Sequence, residues 1–205
     1  MSKRPAGTSH PTKERIIATT AQLMRSHGYT ATSFRQIAAA ANTPIGSIYF
    51  HFPGGKEELV TAATIYAGKN IGALLKIATK DLPAHEAIRS LSAAMTHVLL
   101  ESDWTDGCPI AMSAIESPAT SAPVRSAADT VFREWEALIA ARLREEGVQE
   151  AEAAALATAV LSGLEGGLLL ARARHDLAPM TAITNLLVTS VQKATNHPGT
   201  DSPPD

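Results

Sequence analysis

The residues best equipped for chemistry in this 205-residue chain lie between Ser33 and Lys56. Ser47, Tyr49 and His51 place a hydroxyl, a phenol and an imidazole at every second position, and Gly46 lets a partner approach the backbone closely. Such donors suit phosphate oxygens or the edges of bases. Ile45, turned outward, can cover a thymine methyl, and Phe50 adds aromatic surface beside it. Helix starts near Ser33 and near Thr43 and Pro44 bring amides that can meet phosphate. Lys56 points the same way, because a lysine in the first turn of a helix opposes the dipole and a phosphate removes that conflict.

Short elements must hold these groups. Ser33 can cap a first helix, with Gln36 three residues on to complete a capping box. Phe34, Ile37, Ala38 and Ala41 then recur at helical spacing. Asn42 ends the run in a left-handed conformation, and Thr43 and Pro44 restart the chain as N-cap and first helical residue. The helix from Pro44 to about Phe52 is barely two turns and is unstable in isolation. Ile48 and Phe52 anchor it inward, while Gly46, Ser47, Phe50 and His51 point away. Periodicity does not place Ile45 or Tyr49. Behind lies a helix capped by Thr12 and stopped at Gly28, with Ile16, Ile17, Thr20, Ala21, Leu23 and Met24 inward; Ile17, Ala21 and Met24 face Phe34, Ile37, Ile48 and Phe52. Spacing alone fits a DNA-reading tip and also a small helical subdomain with an ordinary surface.

The run from Ala38, A-x-x-A-N-T-P-I-G-S-I-Y-F-H-F-P-G-G-K-E-E-L, resembles the helix-turn-helix signature of the TetR family of bacterial transcriptional regulators. It matches at Ala38, Gly46, Ser47, Ile48, Tyr49, Phe50, His51, Phe52, Lys56 and Leu59. It departs at Asn42, where a turn glycine is usual, at Pro44, where serine is common, and at Ile45, commonly polar. The resemblance implies an all-α fold, with a three-helix N-terminal domain joined by a long helix to a C-terminal dimerising bundle. It further implies a homodimer on a palindrome of double-stranded DNA, released by a small hydrophobic or aromatic effector. The candidate DNA contacts are therefore Ser33, Thr43, Pro44, Ile45, Gly46, Ser47, Tyr49, Phe50, His51 and Lys56.

Charge supports that division. The net charge of -2 hides ten Lys or Arg against three Asp or Glu in residues 1–80, and eight against seventeen in residues 81–205. A basic first section attracts DNA while the acidic remainder stays off it. Hydrophobic residues make up 45% of the chain and aromatics 4%, so alanine and leucine carry the packing and helix is the natural outcome. No leader or membrane span is expected: the most apolar stretch, Ala151 to Ala171, contains Glu152 and Glu165. A cytoplasmic protein without cofactor follows.

Four segments divide the chain: a flexible basic arm over 1–11, a DNA-binding domain over 12–54, an effector-binding and dimerisation domain over 55–195, and a solvated tail over 196–205. A helix from about Gly55 to Ala78 connects the reading head to the rest. Gly107 to Glu116 and Gly163 to Ala173 resemble motifs of a TetR branch associated with multidrug or aromatic compounds. Met95, Trp104, Cys108, Met112 and Trp135 are the candidate effector-pocket residues, suited to a neutral or weakly polar molecule and equally to core packing. Gly163 and Gly167, four apart, allow a second helix to come close, and with Leu168, Ile183 and Leu187 form the candidate dimer seam.

Catalysis finds little footing. The seven histidines form no metal-ligand spacing, Ser113 has no base partner in sequence, and Cys108 beside Asp106 is disfavoured as a thiolate. The rival to a regulator is a helical dimer that sequesters a ligand or binds a protein without specific DNA recognition.

Overall fold

Alanine- and leucine-rich segments punctuated by Gly, Pro, Asn and Asp leave helices joined by tight turns. The computed structural model describes residues 12–117 and 121–196, and no strand occurs among them. The helices are α1 (Thr12–Ala31), α2 (Phe34–Ala40), α3 (Ile45–His51), α4 (Gly55–Thr79), α5 (Ala84–Glu101), α6 (Pro109–Glu116), α7 (Ala122–Glu145), α8 (Glu150–Arg174) and α9 (Ala178–Asn196). The basic arm over 1–11, Pro118 and the tail over 197–205 lie outside the described residues, while Asn196, expected in the tail, closes α9.

Local chemistry sets most of the ends. The capping box at Ser33 forms, with the Gln36 amide donating to Ser33 Oγ at 3.3 Å and the Ser33 amide donating to Gln36 Oε1 at 2.8 Å. α2 closes as expected on Asn42, at φ 47°, and the Thr43 and Asn42 amides donate back to Ala38 and Ala39 in a Schellman turn. α7 ends in the same way at Gly147, where Val148 folds over Leu143, both buried. At α3 the expected start shifts by one residue: Pro44 is the N-cap, no side chain caps the helix, and Ile45 is its first residue. Pro44 has ψ 141°, outside the helical well, so the turn from Asn42 reaches one residue further than the proline suggested.

Gly28 does not stop α1 but bends it. Its φ of 74° and ψ of -177° break the helix, which resumes to Ala31, and Thr32 Oγ1 donates to the Gly28 carbonyl at 2.7 Å. Few residues with a Cβ adopt that conformation. Gly28→Ala is expected to lower stability by about 1–3 kcal/mol, read as a shifted urea midpoint; an unchanged midpoint would show that the bend relaxes freely.

The described residues fall into two compact units. One joins those up to Gly68 with those of Pro109–Ala128; the other joins Lys69–Cys108 with those from Asp129 onward. In the first, Ile16, Ile37, Ala38, Ala41, Ile48, Phe52 and Leu59 form the core, with Ile17, Leu23 and Phe34 against it. α1 packs on α2, α3 and α6. Ala21 and Met24 are buried too, but Ile16 rather than either of them joins the cluster around Ile48 and Phe52. α6 was expected with the effector domain. It sits instead in the unit that holds the reading head, fixed by Thr64 Oγ1 donating to the buried Ser113 Oγ at 3.0 Å and Ser113 donating to the Pro109 carbonyl at 2.7 Å.

In the second unit α9 packs on α8 and α5, around Leu99, Leu143, Val160, Leu164, Met180 and Val191. Ser92 and Thr184 satisfy each other inside it at 2.6 Å. α8 is long and apolar enough by composition to cross a membrane; 33% of its most apolar stretch is buried here, and the helix packs on α9 and α5.

Candidate nucleic-acid interface

α3 is held from behind and open in front. Ile48 and Phe52 are fully buried among α1, α2 and the start of α4, whereas Ile45, Tyr49 and Phe50 are 40%, 57% and 80% exposed. Gly46 is exposed as well, and a Cβ built on it would meet nothing within 4 Å. Ser47 and His51 are half-buried on the same side. Thus Ile45 and Tyr49, which periodicity left open, both face out. Phe34 braces Tyr49 edge-on, with ring centroids 5.2 Å apart, so the phenol is aimed rather than free to sweep. Phe50 and His51 make a similar edge contact at 5.1 Å.

The flanking candidates are partly engaged within the chain. Ser33 is exposed, but its hydroxyl is committed to Gln36. Thr43 and Pro44 line a shallow open depression with Ala38, Ala39 and Asn42. Lys56 is half-buried: its ammonium sits 4.4 Å from the centroid of the Tyr29 ring and donates to the Thr30 carbonyl at 3.4 Å. Burial lowers its pKa, and the Glu116 carboxylate works against that shift. Tyr29, Thr30 and Glu116 had no signal in the sequence, because they reach Lys56 from α1 and α6, at separations of 26 residues and more.

An exposed, braced two-turn helix after a capped one is the geometry of a helix-turn-helix. Residues 16–63 match the family model "Bacterial regulatory proteins, tetR family", and residues 84–186, half the chain, match "Transcriptional regulator LmrA/YxaF-like, C-terminal domain". The chain belongs to the TetR family. It is 32% identical over 184 residues to the HTH-type transcriptional regulator YxaF of Bacillus subtilis, covering 88% of this chain and 95% of that one. An HTH-type regulator of Mycobacterium tuberculosis is 35% identical over 176 residues, covering 83% and 89%. Among solved structures, a TetR regulator from Legionella pneumophila superposes with a TM-score of 0.78 at 28% identity, covering 90% of this chain and 99% of that one. This TetR-family protein is accordingly a transcriptional regulator, all-helical, with an N-terminal helix-turn-helix and a C-terminal helical domain.

The regulator's other candidate residues lie in both units. Met95, Trp104 and Cys108 pack against the core of the second unit, and Trp135 is buried in that unit with its indole nitrogen 3.2 Å from where a Gly72 Cβ would lie. Met112 lies on α6, in the first unit. Trp104 stacks on His175 with centroids 5.3 Å apart. Cys108 hydrogen-bonds the mostly buried Glu165, whose pKa burial pushes up and that bond pulls down. The two branch motifs therefore meet there.

The expected dimer seam is occupied from within the chain. A Cβ on Gly167 would lie 2.7 Å from Ile183 Cγ2, and one on Gly163 would lie 3.1 Å from Ile183 Cγ1 and 3.2 Å from Leu187 Cδ1. The glycines thus admit α9 of the same subunit, and Leu168 and Leu187 are buried in that core. Spacing revealed a close helix contact but not whose helix makes it. The large hydrophobic residues that α8 and α9 leave exposed are Leu169, Leu170 and Leu186.

Proposed function

We propose that this regulator is a homodimeric repressor, acting in the cytoplasm, that reads a palindromic operator and leaves it when a small hydrophobic or aromatic effector binds. The observation that carries the reading is the outward row on α3: Ile45, Gly46, Tyr49 and Phe50 face solvent while Ile48 and Phe52 hold the helix from behind. On DNA, Ile45 and Phe50 supply apolar contact to base edges, Ser47 and His51 donate to bases and phosphates, and Ser33, Thr43, Pro44, Tyr49 and Lys56 lie along the backbone. Two heads seat together when they enter successive major grooves about 34 Å apart. Effector binding favours a dimer state in which the heads no longer match that spacing.

Dimerisation is assigned to the exposed side of the last two helices, where Leu169, Leu170 and Leu186 offer apolar surface to a second copy. Met95, Trp104 and Cys108 mark the effector side, with Trp135 in the same unit.

Selection of bound duplexes from a random pool tests the proposal. An inverted repeat with half-sites about one helical turn apart is expected, followed by release on titration with small hydrophobic compounds. Recovery of unselected sequences only would end the operator reading. Replacing Tyr49 and Lys56 together with alanine should weaken binding to every recovered duplex and flatten its salt dependence, since both contacts are assigned to the backbone.

A further inference from the structure

Thr30 is held at both its backbone amide and its carbonyl by charged side chains. Its amide donates to Glu116 Oε2 at 3.0 Å, and its carbonyl accepts from Lys56 Nζ at 3.4 Å. Glu116 comes from the last turn of α6 and Lys56 from the first turn of α4, with the bent end of α1 between them. The bend makes the room. A Cβ on Gly28 would lie 2.2 Å from Glu116 Oε1, so the carboxylate fills the space that a side chain at position 28 would take. The Tyr29 ring also covers the ammonium, which lies 4.4 Å from the ring centroid.

We propose that Glu116 is a positioning residue that withholds Lys56 from DNA: it pins the turn whose carbonyl and ring hold the ammonium, and its negative charge competes with phosphate for that ammonium. The inference rests on the backbone role given to Lys56 above and extends it, because the availability of a phosphate-binding lysine is then set by α6. The chemistry is a choice between two anions. With Glu116 seated, Lys56 has a carboxylate nearby, a carbonyl and a ring face, and a phosphate must displace the last two and compete with the first; the Coulombic effect of Glu116 on Lys56 supports that competition. A movement of the α6 end that withdraws Glu116 frees both the turn and the lysine.

Glu116→Gln separates charge from hydrogen bonding, since its amide oxygen can still accept from Thr30. At low salt, affinity for a selected operator is expected to rise about three- to fivefold per reading head, the value of one exposed ion pair, with a steeper salt dependence. In a Lys56→Met background the same change should give no gain. An equal gain in both backgrounds, or weaker binding by Glu116→Gln, overturns the competition. The pinning is measured without DNA by amide hydrogen exchange on the full chain. Glu116→Ala should speed exchange at Thr30 while Glu116→Gln leaves it near the parent rate, and an unchanged rate in Glu116→Ala overturns the latch. A parent protein that binds no selected duplex instead refutes the DNA reading and with it the competition, while the exchange result still decides the latch.

Discussion

Phe52→Ala is expected to lower folding stability by about 3–5 kcal/mol, the usual loss for emptying a buried aromatic site. Phe52 is 1% exposed and closes the core made by Ile16, Ile37, Ile48 and Leu59. Its backbone bonds survive the change: the amide donates to Ile48 at 2.9 Å and the carbonyl accepts from Gly55 at 3.0 Å. The side chain alone is therefore tested. α3 has seven residues, too few to persist without tertiary support, and would keep only Ile48 as an inward anchor. Operator affinity should fall with stability although Phe52 itself touches no DNA. Urea unfolding combined with hydrogen exchange at the α3 amides reads both effects, and Phe52→Leu, which retains most of the volume, should cost less than about 1.5 kcal/mol. Exchange at α3 unchanged in Phe52→Ala would mean that the helix is held by something other than this core.

Gly46→Leu should have the opposite profile. Nothing in the protein lies within 4 Å of a Cβ at this position, and glycine is a poor helix former, so the variant should match or exceed the parent in stability, by up to about 1 kcal/mol. If α3 seats in a groove, however, the added isobutyl group stands between the backbone and the bases. Losing even one contact of about 1–3 kcal/mol in each half-site weakens a dimer by about 30-fold or more. Fluorescence anisotropy at fixed salt, alongside thermal unfolding, separates binding from folding. Binding equal to the parent would remove this face of α3 from the interface and direct the search to another surface. The comparison with Gly167 is instructive: there a Cβ would strike Ile183 at 2.7 Å, and substitution disturbs the protein's own packing.

These two positions show how far the chain could be read from its residues. Features completed within one or two turns were legible: the Ser33–Gln36 capping box, the left-handed Asn42, the Gly147 terminus, and the inward spacing of Ile48 and Phe52. Each depends on neighbours a few residues away, so its physical cause is present in the local sequence. The family signature over Ala38 to Leu59 is local in the same sense.

Partnership between distant segments was decided only by the tertiary structure. A helical period shows which side of a segment is apolar, but not what will cover it. Gly163 and Gly167 thus looked open to another subunit until α9 of the same chain filled their surface. Ile45 and Tyr49, at the edge of an apolar stripe, became outward residues because the core behind α3 was already closed by Ile48, Phe52 and their neighbours. Lys56 met Tyr29, Thr30 and Glu116 because a bend at Gly28 brought three helices to one place. Local sequence determined where helices begin, end and present donors; packing over long separations decided which of those donors are open and which are already held.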